Sequence, residues 1–218
     1  MIRQLKPWSV LPGIIAGAAI ALLSAPPPAA AEVLRLEPAS TTIQFTLGST
    51  MHEVEGVFKL TGGEITFDRT TGEASGRIIV SALTGDTANE KRDKKMHEKV
   101  LESAAFPEIV FTAHRIDGDL QPQGESEVTL SGTMELRGTV HEFTIPASVR
   151  MEHDRLSGTA QFIIPFIEWG LEDPSVFIFR VKKEVQVTLD LAGTVFPAAA
   201  VAATGATPDH PAPAATSR

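Results

Sequence analysis

Apolar and polar residues alternate with a period of two along most of the chain between Glu32 and Gly193. This period is typical of strands that bury one face, because successive side chains of a strand point to opposite sides of the sheet. The clearest runs are residues 42–47, 109–114, 142–149 and 185–191. Several such strands in succession predict an all-β domain, built either as a sandwich or as an up-and-down barrel.

Residues that favour turns separate these runs. They are Gly62-Gly63, Thr71-Gly72, Asp117-Gly118, Gln121-Pro122 and Gly138. Glycine, proline and asparagine-like side chains favour such positions because of their special backbone preferences and local hydrogen bonds. We therefore expect the chain to reverse direction at each of these places.

One segment breaks the period of two and predicts a short surface helix. Thr87 and Glu90 have the spacing of a capping box, in which Thr87 is the N-cap and Glu90 is the third helical residue. The following residues are strongly charged as far as Leu101. We predict that the helix ends near Ser103, before the Phe106-Pro107 break.

The predicted helix has two distinct faces. Lys94 lies four positions from both Glu90 and Glu98, a spacing that favours ion pairs on a solvated face. Met96 and Val100 share another face. We expect this apolar face to rest on the sheet.

The start of the chain has the features of a secretory signal peptide. Arg3 and Lys6 precede an apolar run from Val10 to Leu23, and small residues at 29–31 form a cleavage site. The run is short for a membrane span, which needs roughly 20 apolar residues. We predict that residues 1–31 are a signal peptide, that the mature protein is periplasmic or secreted, and that it makes no stable membrane insertion after cleavage.

The other end of the chain differs in composition. Residues 197–218 are rich in alanine and proline and contain no aromatic residue. Such a segment buries too little apolar surface to offset the entropy of ordering, so we predict a disordered tail. Residues 32–196 remain for one domain, which is a usual domain length of about 100–200 residues.

Cysteine is absent from the sequence. This excludes a lipoprotein anchor, disulfide bonds, thiol catalysis and cysteine-ligated zinc. The formal net charge of −8 would become −10 on signal cleavage, because Arg3 and Lys6 are lost. So acidic a protein is a poor partner for nucleic acid, whose phosphates repel it.

The polar residues do not form a recognisable catalytic motif. Three His-Glu pairs occur, namely His52-Glu53, His97-Glu98 and His141-Glu142. Adjacent strand residues point to opposite faces and cannot chelate one ion. Asp93 and His97 are four apart on the helix, which is compatible with a metal contact or an ion pair. We predict no catalytic residue, no metal site and no cofactor, and we expect His114 and His141 to lie on outward faces.

Phenylalanine recurs about once per strand on the faces that read as inward. The residues are Phe45, Phe58, Phe67, Phe111, Phe143 and Phe162. The interior of a small barrel is either filled by side chains or holds one small ligand, and the pattern alone does not separate the two. We propose these six residues as the wall of an apolar pocket.

Several motifs resemble one family in the right order. Residues 42–47 followed by 54–58 (VEGVF) resemble the opening strand pair of the YceI family, with its G-x-F element. Arg92-Asp93 and residues 106–111 (FPEIVF) are similar to its R-D helix and P-x-I-x-F strand. Residues 128–140 resemble the family's L-x-G-x-L-x-L-x-G pair of strands, and residues 169–175 followed by 181–185 resemble its last hairpin.

The resemblance implies an eight-stranded antiparallel, lipocalin-like barrel with a helix near the mouth. It also implies an exported, non-enzymatic protein that holds a polyisoprenoid or similar long-chain lipid, such as a quinone tail, for storage or transport. Trp169 and Phe177 of the last hairpin join the candidate ligand-binding residues. Arg92 and Asp93 either meet the head group of the ligand or fix the helix to nearby loops, and we favour the second role.

Three alternatives stay open from the sequence. The first is a stress-related protein-interaction module with a filled barrel, which would dock through the helix or through residues 177–179. The second is an enzyme acting on a lipid-like substrate, which would need a polar cluster inside the cavity. The third concerns assembly, because pairing of two barrels into a homodimer is not decided by the sequence.

Overall fold

The computed structural model describes residues 31–50, 53–175 and 180–199. The strands in these ranges are β1 (Glu32–Leu36), β2 (Thr42–Leu47), β3 (Val54–Phe67), β4 (Glu73–Asp86), β5 (Glu108–Gly118), β6 (Gly124–Leu136), β7 (Thr139–Glu152), β8 (Arg155–Ile164) and β9 (Val185–Pro197). Between β4 and β5 lie the helix α1 (Glu90–Lys95) and a π-helical turn (Met96–Val100).

The sheet closes on itself as an antiparallel barrel. Strands β3 to β9 pair with their neighbours in chain order, and β2 closes the ring between β3 and β9. Strand β1 also pairs with both β3 and β9, further along the same strands, so β1 and β2 together fill one position. A 3-10 turn at Pro38–Ser40 separates them. The barrel therefore has eight strand positions, which confirms the predicted fold class.

The turn predicted at Gly62-Gly63 is wrong. Strand β3 runs through both glycines, and its pairing with β4 shifts register between Leu60 and Gly62. A bulge of this kind bends a strand without ending it, and glycine is common at bulges because it tolerates the required backbone. The register shift lies beside the glycine pair, and β3 continues through it as one strand from Val54 to Phe67.

The predicted helix is present, but its cap differs. The side chain of Asn89 accepts a hydrogen bond from the backbone N–H of Arg92, and Asn89 is therefore the N-cap. The predicted capping box is wrong because the Thr87 side chain is bonded to Arg92 and Asp93 instead. The helical segment ends at Val100, three residues before the predicted end.

The charged face of the helix forms one of the two predicted ion pairs. Lys94 Nζ lies 3.8 Å from Glu98 Oε1. Glu90 and Lys94, both within the described chain, make no such pair. Both side chains of the Lys94–Glu98 pair are largely exposed, so the pair contributes little stability in water.

The barrel interior is packed in layers along its axis. The end formed by the β3–β4, β5–β6 and β7–β8 connections is filled by Phe67, Leu120, Val149, Met151, Leu156 and Val195. The Arg69 guanidinium closes this end by pairing with Glu32 and donating to the carbonyls of Leu120 and Gln121. A middle layer contains Ile65, Phe111, Ala113, Met134, Ile145 and Ala160.

The ends of the chain lie mostly outside the described residues. The predicted signal peptide at 1–31 and the predicted tail at 197–218 therefore stay predictions. Of these residues the structure describes Ala31 and residues 197–199, and Pro197 is the last residue of β9. Within the described part, no helix has the length and the apolar character that crossing a membrane requires.

Candidate functional site

The end of the barrel that carries α1 contains a cavity of about 390 Å³. A pocket of about 300–1,000 Å³ is typical of sites for small organic ligands. The lining residues from the strands are Ile43, Phe45, Leu47, Val54, Phe58, Val80, Ile109, Met134, Leu136, Phe162, Ile164, Val185 and Val187. The segment between β4 and β5, which contains α1, adds Thr87, Arg92, Lys95, Met96, Val100 and Leu101. The β8–β9 loop adds Phe166, Leu171, Pro174 and Val181.

Three of the predicted pocket residues line this cavity: Phe45, Phe58 and Phe162. The rings of Phe45 and Phe58, on the paired strands β2 and β3, have their centroids 5.3 Å apart in a tilted arrangement. Aromatic pairs favour such offset geometries at centroid distances of about 4.5–7 Å. The pair gives one wall of the cavity a rigid apolar surface.

Phe67 and Phe111 lie deeper in the barrel and do not line the cavity. Phe67 belongs to the layer at the closed end and Phe111 to the middle layer, where they are 3 % and 5 % exposed. Both side chains face inward as predicted, but they fill the interior. The barrel is thus packed at its closed end and in its middle layer, and it is hollow at the end that carries α1.

Phe143 and Trp169 do not line the cavity, but Phe143 packs against a residue that does. The Phe143 ring packs edge-on against Phe162 and Trp169, at centroid distances of 5.5 Å in both cases. Phe143 therefore supports Phe162, which itself lines the cavity. Phe177, the remaining candidate, lies outside the described residues, as do residues 176–179 as a whole.

His141 does not lie on the outer face, and this expectation was wrong. It shares the inward alternation of Phe143 and Ile145 along β7, and its ring stacks on Trp169 with centroids 4.2 Å apart. Its buried Nε2 has no hydrogen-bond partner among the described residues. His114, by contrast, is exposed as predicted.

Most of the cavity wall was not predicted from the sequence, because the predicted residues are all aromatic. Twenty of the 23 lining residues are apolar, and most of these are aliphatic. Leu136, Ile164 and Val185 are the aliphatic residues at the strand ends that meet α1. Their inward alternation and their place at the α1 end of a strand were the signals available in the sequence. The expectation that Met96 and Val100 face the sheet is confirmed, since both line the cavity.

The polar part of the cavity lining lies around the start of α1. The Arg92 side chain donates through Nε to the Thr87 hydroxyl and through Nη2 to the Thr87 carbonyl, both at 2.7 Å. The Asp93 carboxylate accepts from the Thr87 backbone N–H at 2.9 Å and from its hydroxyl. Arg92 and Asp93 thus hold the strand-to-helix connection, which is the structural role that we predicted for them.

Two further contacts fasten the loops around the cavity. Lys95 Nζ donates to the carbonyl of Pro174 at 2.7 Å, which ties α1 to the β8–β9 loop. Arg137, in the β6–β7 turn, pairs with Glu102 and donates to the Gly170 carbonyl. The mouth is therefore framed by three connections that are bonded to one another.

Asp173 in the β8–β9 loop has a lowered pKa. Hydrogen bonds from the side chain and backbone of Ser175 stabilise its carboxylate and hold the pKa below the ordinary value, and Arg180 and Lys183 add to this effect. The Ser175 hydroxyl also accepts from the Val181 backbone N–H at 3.1 Å. These bonds bring the two described ends of the loop together beside the cavity.

His97 fixes the helical segment to β4 and to the loop that follows the helix. Its Nε2 lies 2.9 Å from the Gly85 carbonyl, which only accepts, so Nε2 carries a proton. Its Nδ1 lies 2.8 Å from the hydroxyl of Ser103, which is 1 % exposed. Asp93 is bonded elsewhere, so the Asp93–His97 pair considered from sequence is not formed. Within the described chain, no three His, Asp or Glu side chains approach closely enough to hold a metal ion.

We expect Ser103→Ala to destabilise the fold by about 1–3 kcal/mol, because Nδ1 of His97 would lose its partner in a largely buried place. Urea denaturation measures this change in the free energy of unfolding. The matched control is Ser157→Ala, which removes an exposed hydroxyl from β8. Equal stability of the two variants would show that the His97–Ser103 bond does not anchor the helix.

Comparison with known proteins identifies relatives of this barrel. The sequence model of the YceI-like domain matches residues 34–193, which is most of the chain. No curated protein matches the chain.

Solved structures share the fold at low sequence identity. BcnA of Burkholderia cenocepacia superposes with a TM-score of 0.62 at 16% identity, over 73% of this chain and 99% of that one. A polyisoprenoid-binding domain from Saccharophagus degradans, described as implicated in plant cell wall breakdown, gives 0.58 at 18% identity, over 74% and 97% of the two chains. The YCEI protein of Campylobacter jejuni gives 0.53 at 13% identity, over 65% and 84%.

Proposed function

Because this chain belongs to the family of YceI-like domains, we propose that it binds one long-chain lipid in its barrel cavity. The ligand is a polyisoprenoid or a similar compound, such as the tail of a quinone. The observation that carries the proposal is the cavity itself, in which 20 of the 23 lining residues are apolar. The similar barrel from Saccharophagus degradans is described as a polyisoprenoid-binding domain, which supports the same class of ligand.

The apolar wall is sufficient to hold a hydrocarbon chain. Burying ten methylene-like groups contributes roughly 8 kcal/mol, at about 0.8 kcal/mol each. Before ordering costs, this corresponds to about micromolar affinity. The barrel is hollow at the end that carries α1. This favours ligand binding over the alternative of an interaction module with a filled barrel.

We further propose that the protein acts as an exported carrier or store and not as an enzyme. The signal-peptide pattern of residues 1–31 supports export to the periplasm or the medium. A lipid chain inside the barrel is shielded from water, which allows the protein to hold it outside a membrane. Binding and release need no covalent step, and the described residues that line the cavity include no acidic residue and no histidine that would act as a general base.

Native mass spectrometry of the mature protein, purified from the exported fraction without added lipid, tests this proposal. We expect a discrete additional mass that is released by organic extraction and identified as a polyisoprenoid or another long-chain lipid. A protein that carries no extra mass, and that stays free of lipid after incubation with a quinone, would contradict the proposal.

A further inference from the structure

The charged groups that line the cavity in the described part of the chain have the same sign. Arg92 and Lys95, three positions apart on α1, line it together with the neutral Thr87, and no described lining residue is acidic. The whole chain has 27 acidic residues against 19 basic ones and a net charge of −8. A purely cationic edge is therefore a local feature that opposes the overall charge.

Neither cation has a carboxylate partner. The described residues form eight ion pairs between other groups, but no carboxylate oxygen lies within 4.0 Å of the Arg92 guanidinium or the Lys95 ammonium. Asp93, the nearest acidic residue in sequence to both, directs its carboxylate to Thr87. Among the described residues, neither positive charge therefore has a direct ion pair, and Asp93 meets Arg92 only through the shared Thr87 hydroxyl.

Both cations also retain unused hydrogen-bond donors. Arg92 has five N–H groups, of which Nε and one on Nη2 are bonded to Thr87. Lys95 has three, of which one is bonded to the Pro174 carbonyl. The existing bonds fix the positions of both head groups, and the remaining donors are available to a ligand.

A partly buried cation beside an apolar cavity is stabilised by an anion that it can bond. A negatively charged oxygen satisfies both the charge and the free donors, and hydrogen bonds between ions are stronger than neutral ones. An uncharged head group can accept hydrogen bonds from the free donors, but it does not neutralise the positive charge. The same edge therefore discriminates between lipids by the charge of their head group.

We propose that the natural ligand is an anionic amphiphile, whose phosphate or carboxylate head group binds to Arg92 and Lys95 while its apolar chain occupies the cavity. The inference rests on the proposed lipid-binding function and adds to it the class of head group. A prenyl phosphate and a fatty acid share this chemistry and differ in the chain that the cavity wall contacts.

Two matched pairs of ligands test the head group separately from the chain. Delipidated mature protein is titrated with farnesol and farnesyl phosphate, and with hexadecanol and hexadecanoate, each below its critical micelle concentration. We expect the anionic member of each pair to bind about 10- to 100-fold more tightly than the alcohol, as for hydrogen bonds to charged groups. The pair that binds more tightly identifies the chain class.

Variants of the helix assign the preference to a residue. Lys95→Met should reduce the preference for the anion about tenfold, because it removes one of the two charges. Lys95→Arg keeps a positive charge that can reach the Pro174 carbonyl and should restore the preference. Lys91→Met is the matched control, since Lys91 is exposed on the same helix and does not line the cavity.

Two results would overturn the inference in distinguishable ways. Equal affinity for the alcohol and the anion of each pair would leave lipid binding intact and remove the assignment of the head group. Failure of all four compounds to bind would contradict the proposed function as well. An equal loss of preference in Lys91→Met and Lys95→Met would show that the effect is long-range electrostatics and not a head-group site.

Discussion

A Val80→Trp variant is expected to fold and to lose its lipid. Val80 is half-buried in β4, and its side chain forms part of the cavity wall. An indole in its place would occupy the space of about four methylene groups, worth ~3 kcal/mol or on the order of 100-fold in affinity. The indole would enter the cavity and not the packed core, so we expect little loss of folding stability.

Leu83→Trp is the matched control for this variant. Leu83 lies three residues further along β4, is 57 % exposed and does not line the cavity. The two variants are compared by the mass of bound lipid in native mass spectrometry, by affinity for an added chain and by urea denaturation. If Val80→Trp folds and binds lipid as well as Leu83→Trp does, the apolar chain of the lipid does not occupy this cavity.

The alternation of the sequence predicts the face of a residue but not its depth. Phe45, Phe67 and Phe111 all have inward positions, and all three are buried inside the barrel as expected. Whether such a residue lines a void or fills one depends on its height along the barrel axis. That height follows from the register of all the strands and from what the connecting loops contribute, so Phe67 becomes part of the closed end while Phe45 faces the cavity.

The helix illustrates a second limit of prediction from sequence. The Thr87–Glu90 spacing is compatible with a capping box, and the Asn89–Arg92 spacing provides a competing cap. The competition is decided by tertiary contacts, because Asp93 and Arg92 both bond Thr87 and leave Asn89 as the cap. The sequence predicted that a helix exists here, and the neighbouring groups determine where it begins.

His141 shows how one residue type misleads. The predicted phase of the alternation placed it on the outward face of its strand, but residue 141 is in phase with the inward residues Phe143 and Ile145. The structure follows the alternation, since the ring of His141 stacks on Trp169. Imidazole has an aromatic body that packs well against an indole, so position in the strand outweighs polarity in this case.

A severe steric constraint on the fold is at Gly132, in the part of β6 whose motif resembles the family pattern. A Cβ atom at this position would lie 2.0 Å from the Thr112 carbonyl oxygen and 3.0 Å from the Phe111 ring. The oxygen belongs to the backbone of β5, so relief requires the β5–β6 pairing to move. We expect Gly132→Ala to lose about 3 kcal/mol or more of an overall stability of ~5–15 kcal/mol.

Gly62→Ala is the control that separates this contact from a general cost of replacing glycine. A Cβ at Gly62 meets no other atom of the described chain within 4 Å, and the residue has no positive φ. We expect this variant to be as stable as the wild type or up to about 1 kcal/mol more stable, because alanine restricts the unfolded chain. Urea denaturation and the yield of folded protein compare the two. A Gly132→Ala protein as stable as Gly62→Ala would show that β5 and β6 move apart easily, and the packed middle layer beneath the cavity would then not be rigid.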